Sequence, residues 1–89
     1  MSEITILKFS SSWCGPCKKL QTYLPEVVAE TGVCVHSYDA DEHEKKFEEF
    51  GVRAVPTLIF LKKDLEIGRK TGLIPREELI RLIGLYRKD

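Results

Sequence analysis

Two short runs limit what this chain can fold into. Residues 4–10, mostly apolar, and Leu58-Ile59-Phe60-Leu61, wholly so, are β-prone and carry apolar side chains at adjacent positions rather than only at alternate ones. Strands of that kind are buried on both faces, so their sheet needs a covering layer on each side. The covering material is present. Leu20, Tyr23, Leu24, Val27 and Val28 recur at spacings of three and four, and Gly32 is a natural stop for that helix. Val33-Cys34-Val35-His36-Ser37-Tyr38 reads as a second strand. Asp41 and Glu44 have the spacing of a capping box and open a short second helix, with Phe47 and Phe50 inward and Gly51 at its end. Beyond the third strand, Lys62, Lys63 and Asp64 make a turn, and Leu65 and Ile67 alternate with Glu66 and Gly68 as in an edge strand. Pro75 suits the first turn of a last helix whose inward stripe is Leu79, Leu82, Ile83 and Tyr86.

The order βαβαββα predicts an α/β fold. Parallel neighbours joined by a helix need a crossover, and the last two strands are close enough for a hairpin. The expected architecture is a four-stranded mixed sheet with helices on both faces. The 89 residues suffice for one core, and therefore for a single domain over residues 1–89.

Charge narrows the functions. Fourteen basic side chains balance fourteen acidic ones, which leaves no basic surface for a nucleic acid. No apolar run is long enough to cross a bilayer, and Met1-Ser2-Glu3 has no basic leader region. A soluble, cytoplasmic monomer is expected.

Of three cysteines, Cys14 and Cys17 stand so close that a bridge between them closes almost no chain. They make a poor staple, which directs attention to their chemistry. Trp13-Cys14-Gly15-Pro16-Cys17-Lys18 lies between the first strand and the first helix, at the carboxyl end of a strand, where sites form in open α/β sheets. The helix start offers unpaired backbone N–H groups and the positive end of the macrodipole. Both lower a thiol's pKa below the free value of about 8.5. Cys17 lies one turn inside Cys14, within reach of a mixed disulfide held there. Pro16 presets φ in the first turn, Gly15 lets a partner approach, and Lys18 adds a favourable charge.

Other readings of these residues are weaker. Zinc needs two further ligands, and Cys34 with His36 share one face of the second strand. Gly-Pro between the cysteines does not suit a zinc knuckle, so no metal is expected. Cys34 reads as a small buried hydrophobe between two valines, and Trp13 as a contact surface beside an exposed thiol. His36 and His43 belong at the surface or the core boundary. The acidic cluster from Asp39 to Glu44 lacks the glycine and glutamate of a calcium loop and reads as a solvated helix start.

The intact Trp13–Lys18 motif resembles the active-site signature of the thioredoxin family. Val55-Pro56-Thr57 before the third strand and Gly72 after the last one agree with it. The resemblance implies a minimal thioredoxin fold and a protein-disulfide reductase with Cys14 as nucleophile and Cys17 as resolving thiol. It implies a cis-proline at Pro56 that keeps metals off the thiols, and a Val55 backbone that pairs with the substrate peptide. Gly72 makes room for the partner chain. No bound cofactor is implied; NADPH enters only indirectly through a thioredoxin reductase, and ribonucleotide reductase is an expected client.

The chain departs from the family in three respects. The family's N-terminal strand and helix have no counterpart. Lys8 replaces a buried aspartate, and Ser37 replaces the lysine that accompanies it. Pro25 stands later in the first helix than usual, so its kink is expected about one turn later. Two readings of Lys8 stand side by side: its stem packs under the sheet while its ammonium reaches water, or it is partly buried with a lowered pKa and favours thiolate on Cys17. Two rival functions follow from the same residues: a glutathione-dependent, glutaredoxin-like reductase, which lacks its Pro-Tyr pair and Gly-Gly turn here, and a non-catalytic module that binds a partner through Trp13 and Pro56.

Overall fold

The two apolar runs become the two central strands. In the computed structural model, which describes residues 3–88, β1 (Ile4–Ser10) lies beside β3 (Thr57–Lys62) at the middle of a sheet ordered β2-β1-β3-β4. β2 (Cys34–Asp39) runs parallel to β1, which requires the crossover helix α1 (Gly15–Thr31). β3 is antiparallel to β1, and β4 (Leu65–Thr71) is antiparallel to β3. Between β3 and β4 only Lys63 and Asp64 intervene, both with positive φ, the backbone that a two-residue hairpin turn demands. The expected mixed sheet of four strands is present, and β4 extends to Thr71, further than its alternation suggested.

Helices cover both faces. α1 and α3 (Arg76–Arg87) pack on one face, where Ile4, Ile6, Leu58 and Phe60 meet Leu20, Leu24, Leu79 and Ile83. α2 (Glu44–Phe50) covers the other, where Phe9 sits against Tyr38, Phe47 and Phe50 at ring separations of 5.3, 5.0 and 5.9 Å. Arg76 ties α3 to α1 through Glu26 and Glu30. The Tyr23 hydroxyl donates to the Ile74 carbonyl, joining α1 to the approach of α3.

Some expectations are corrected. Asp41 and Glu44 do not form a capping box: α2 is capped at His43 without a side-chain hydrogen bond. Asp39 organises the turn instead, its carboxylate accepting from the backbone N–H groups of Asp41 (2.8 Å) and Glu42 (3.3 Å). Cys34 is exposed rather than buried, its Sγ 3.6 Å from His36 Nε2. The reason is length. Cys34, His36 and Tyr38 share the α2 face of an edge strand, and the seven-residue α2 reaches only Tyr38. Leu65 and Ile67 are also exposed, because β4 is the opposite edge. Pro25 lies inside α1, which continues through it to the αL stop at Gly32.

Candidate active site

β1 ends at the sheet's carboxyl edge, and a short turn delivers Cys14 to the start of α1. The Cys14 N–H donates to the Ser11 carbonyl at 3.4 Å. Cys14 is the N-cap of α1, extended at φ −96° and ψ 114°. That position usually carries an oxygen side chain, because the first helical N–H groups lack intrahelical acceptors. Here the acceptor is sulfur: the Cys17 N–H points at Cys14 Sγ at 3.1 Å. Pro16 sits in the first turn, where its missing N–H is harmless.

Cys14 and Cys17 are joined in a disulfide with Cα atoms 5.3 Å apart. Contrary to the expected exposed thiol, Cys14 is only 5% exposed and Cys17 7%. As an N-cap, the Cys14 side chain folds back over the first turn of its own helix. Trp13 beside it is 70% exposed and is the open part of this surface.

A second segment approaches from the sheet. The Val55–Pro56 peptide is cis, the Thr57 hydroxyl donates to the Ala54 carbonyl at 2.7 Å, and Thr57 then enters β3. Gly72, at φ 94°, donates its N–H to the Pro56 carbonyl at 2.8 Å. The ends of β3 and β4 are thereby tied together at Pro56. Open space surrounds the Gly72 α-carbon, but its positive φ restricts the position to glycine. Trp13 and Val55 line a common groove of about 380 Å³, with Phe47, Val52, Arg53 and Ala54.

Behind the disulfide lies a different space. A cleft of about 180 Å³ is lined by Lys8, Ser10, Ser11, Ser12, Cys17, Lys18 and Gln21. Lys8 projects from the central strand on the face that α1 covers, with Ser37 and Leu58 as its cross-strand neighbours. Its ammonium donates to Gln21 Oε1, and burial lowers its pKa below the ordinary 10.5.

The expected site residues thus form two groups: Trp13 and Val55 in the groove, Lys8 and Lys18 in the cleft with Cys17. Gln21 and Ser11 escaped the sequence reading. Gln21 was findable, because it stands one helical turn after Cys17 on the same face of α1. Among the described residues no three His, Cys, Asp or Glu side chains gather as a metal site, and no helix is long and apolar enough to cross a membrane.

The chain is matched over residues 1–84 by the family model described as Thioredoxin. It is 38% identical over 84 residues to a thioredoxin of Chlamydia caviae, covering 93% of this chain and 82% of that protein. A Bacillus subtilis thioredoxin is 32% identical over 85 residues, again covering 93% of this chain and 82% of the relative. Among solved structures, a Halobacterium salinarum thioredoxin variant superposes with a TM-score of 0.92 at 29% identity, covering 98% of this chain and 77% of the other. A Nicotiana alata thioredoxin gives 0.88 at 33% identity, covering 97% and 75%.

Proposed function

This chain belongs to the thioredoxin family and is a thiol–disulfide oxidoreductase, and we propose that it acts as a reductant of protein disulfides through Cys14 as nucleophile and Cys17 as resolving thiol. The supporting observation is the Cys17 N–H directed at Cys14 Sγ from 3.1 Å. When the disulfide is opened, that N–H and the helix dipole favour negative charge on Cys14 more than on a free cysteine.

The reaction proceeds in two exchanges. Cys14 thiolate attacks one sulfur of the client disulfide, forming a mixed disulfide, and the other client sulfur leaves as a thiolate that takes up a proton. Cys17, having lost its proton, attacks Cys14 Sγ, which releases the second client thiol and re-forms the Cys14–Cys17 bond. Two electrons pass from the enzyme dithiol to the client.

In this reading the client strand lies along Val55, Pro56 and Thr57, with Gly72 leaving room for it and Trp13 forming the opposite wall of the groove. Lys18 favours the Cys14 thiolate, and the Lys8 ammonium favours ionisation of Cys17. The proposal extends to a single cytoplasmic domain acting as a monomer, re-reduced by an NADPH-dependent thioredoxin reductase, with ribonucleotide reductase among its clients. In insulin reduction driven by dithiothreitol, Cys17→Ser is expected to accumulate mixed disulfides with its clients, and Cys14→Ser to lose essentially all activity. Wild-type turnover by Cys14→Ser would remove the proposal.

A further inference from the structure

The groove beside the redox centre holds one charge. Its walls are Trp13, Ala40, Phe47, Val52, Ala54 and Val55, and the single ionisable side chain along it is the Arg53 guanidinium. Other arginines are taken up internally. Arg69 pairs with Glu66 and donates to the Phe50 carbonyl. Arg76 pairs with Glu26, Glu30 and Glu77, and Arg87 reaches Glu3 at 4.0 Å. Arg53 is exposed and has no ion pair or hydrogen bond among the described residues, a condition shared among the arginines only with Arg81 on α3.

The backbone that carries Arg53 is nevertheless fixed on both sides. Before it, Val52 is buried in the α2-side cluster and donates its N–H to the Phe47 carbonyl at 2.8 Å. After it, the Ala54 carbonyl accepts from the Thr57 hydroxyl at 2.7 Å, and buried Pro56 accepts from the Gly72 N–H at 2.8 Å. A cation on a pinned segment has less freedom to lose when it meets a partner.

We propose that Arg53 sets client specificity, favouring client segments that place a carboxylate side chain next to an apolar one, near the cysteine that forms the mixed disulfide. This rests on the groove's role in the function proposed above and names the clients that it selects. An apolar client side chain against Trp13, Phe47 and Val52 excludes water from the groove, which strengthens a charge pair at its rim. The planar guanidinium suits a carboxylate in particular, because two parallel N–H groups donate to its two oxygens. No internal ion pair has to break first. A rim charge acts mainly on encounter and is screened by salt, so the selection belongs in kcat/KM and weakens with ionic strength.

The test uses synthetic peptides with one disulfide and a leucine beside the reacting cysteine, identical except for Glu, Gln or Lys at each nearby position in turn. Their reduction by the full-length protein is followed at low and high ionic strength, with dithiothreitol as the electron donor and its direct reaction subtracted. At the preferred position the wild type is expected to favour Glu over Lys by about three- to tenfold in kcat/KM, the scale of one attractive and one repulsive exposed pair. That ratio should fall toward one in high salt. Arg53→Gln should abolish the preference and Arg53→Glu should reverse it. Arg81→Gln, on the opposite face of the sheet, should keep it. Equal kcat/KM for Glu and Lys at every position, a preference retained by Arg53→Gln, or an equal loss in Arg81→Gln would overturn the assignment. Failure of the redox reading appears separately, as reduction of these peptides by Cys14→Ser at the wild-type rate.

Discussion

Lys8 occupies a place on β1 that follows Ile4 and Ile6 along the face covered by α1, where an apolar side chain would meet no desolvation penalty. Its lowered pKa means that the native state holds this proton less tightly than the unfolded chain does. At neutral pH both states are protonated and the native state bears the penalty. As pH rises through the lowered native value toward the unfolded 10.5, the native state releases its proton first, and stability rises. Lys8→Met is therefore expected to be more stable than wild type at neutral pH, with the advantage shrinking in alkali. Urea unfolding across that range checks it, and a pH-independent difference would count against the assignment. Gly68 is constrained by space rather than by charge. A Cβ there would overlap the ring and hydroxyl of Tyr86 on α3, which packs over β4 at this point. Gly68→Ala should destabilise by about 1–3 kcal/mol. Adding Tyr86→Leu should recover part of the loss, a coupling that a double-mutant cycle measures.

At the level of elements, the start of α2 separates two readings of the same acidic residues. The sequence spacing assigned the cap to Asp41 with Glu44, whereas the hydrogen bonds converge on Asp39 Oδ1. The carboxylate is one residue outside β2's last hydrophobic position, so its strand position aims it at the turn's N–H groups. Asp39→Ala should cost about 1 kcal/mol, the scale of a lost cap, and Asp41→Ala close to nothing. Thermal unfolding of the two variants decides between them. α1 illustrates the opposite case. Its start at the Gly15-Pro16 pair and its end at Gly32 were both legible, because cap chemistry and αL backbone are local properties.

Across the whole molecule, the two faces of the sheet are unequally protected. The α1/α3 side buries twelve residues in its core cluster and the α2 side four, and α2 itself has no buried residue. α2 should therefore open locally at a lower free energy than β1 and β3. Native-state hydrogen exchange is expected to show α2 amides exchanging well before the central strands, which should exchange only on global unfolding. Coincident exchange of α2 and β1 would contradict this. The unequal covering also explains the errors in reading residues from their spacing. Cys34 lies between valines as a core residue would, yet it faces beyond the reach of a short helix on an edge strand.

Apart from Pro56, whose place beside the thiols only the family resemblance implied, what the sequence alone determined is the set of local facts: the mostly apolar strands, the helix periods and stops, a turn about Lys62-Lys63-Asp64, and the thiol pair at a helix start. These depend on backbone propensity and on neighbours a few positions away, which spacing records directly. Tertiary structure alone decided which strands became edges, that Cys14 folds out of solvent, and that Lys8, Ser11, Gln21 and Cys17 enclose one cleft. Periodicity tells whether a face is covered, but what covers it depends on pairing between distant segments, and no local pattern encodes that.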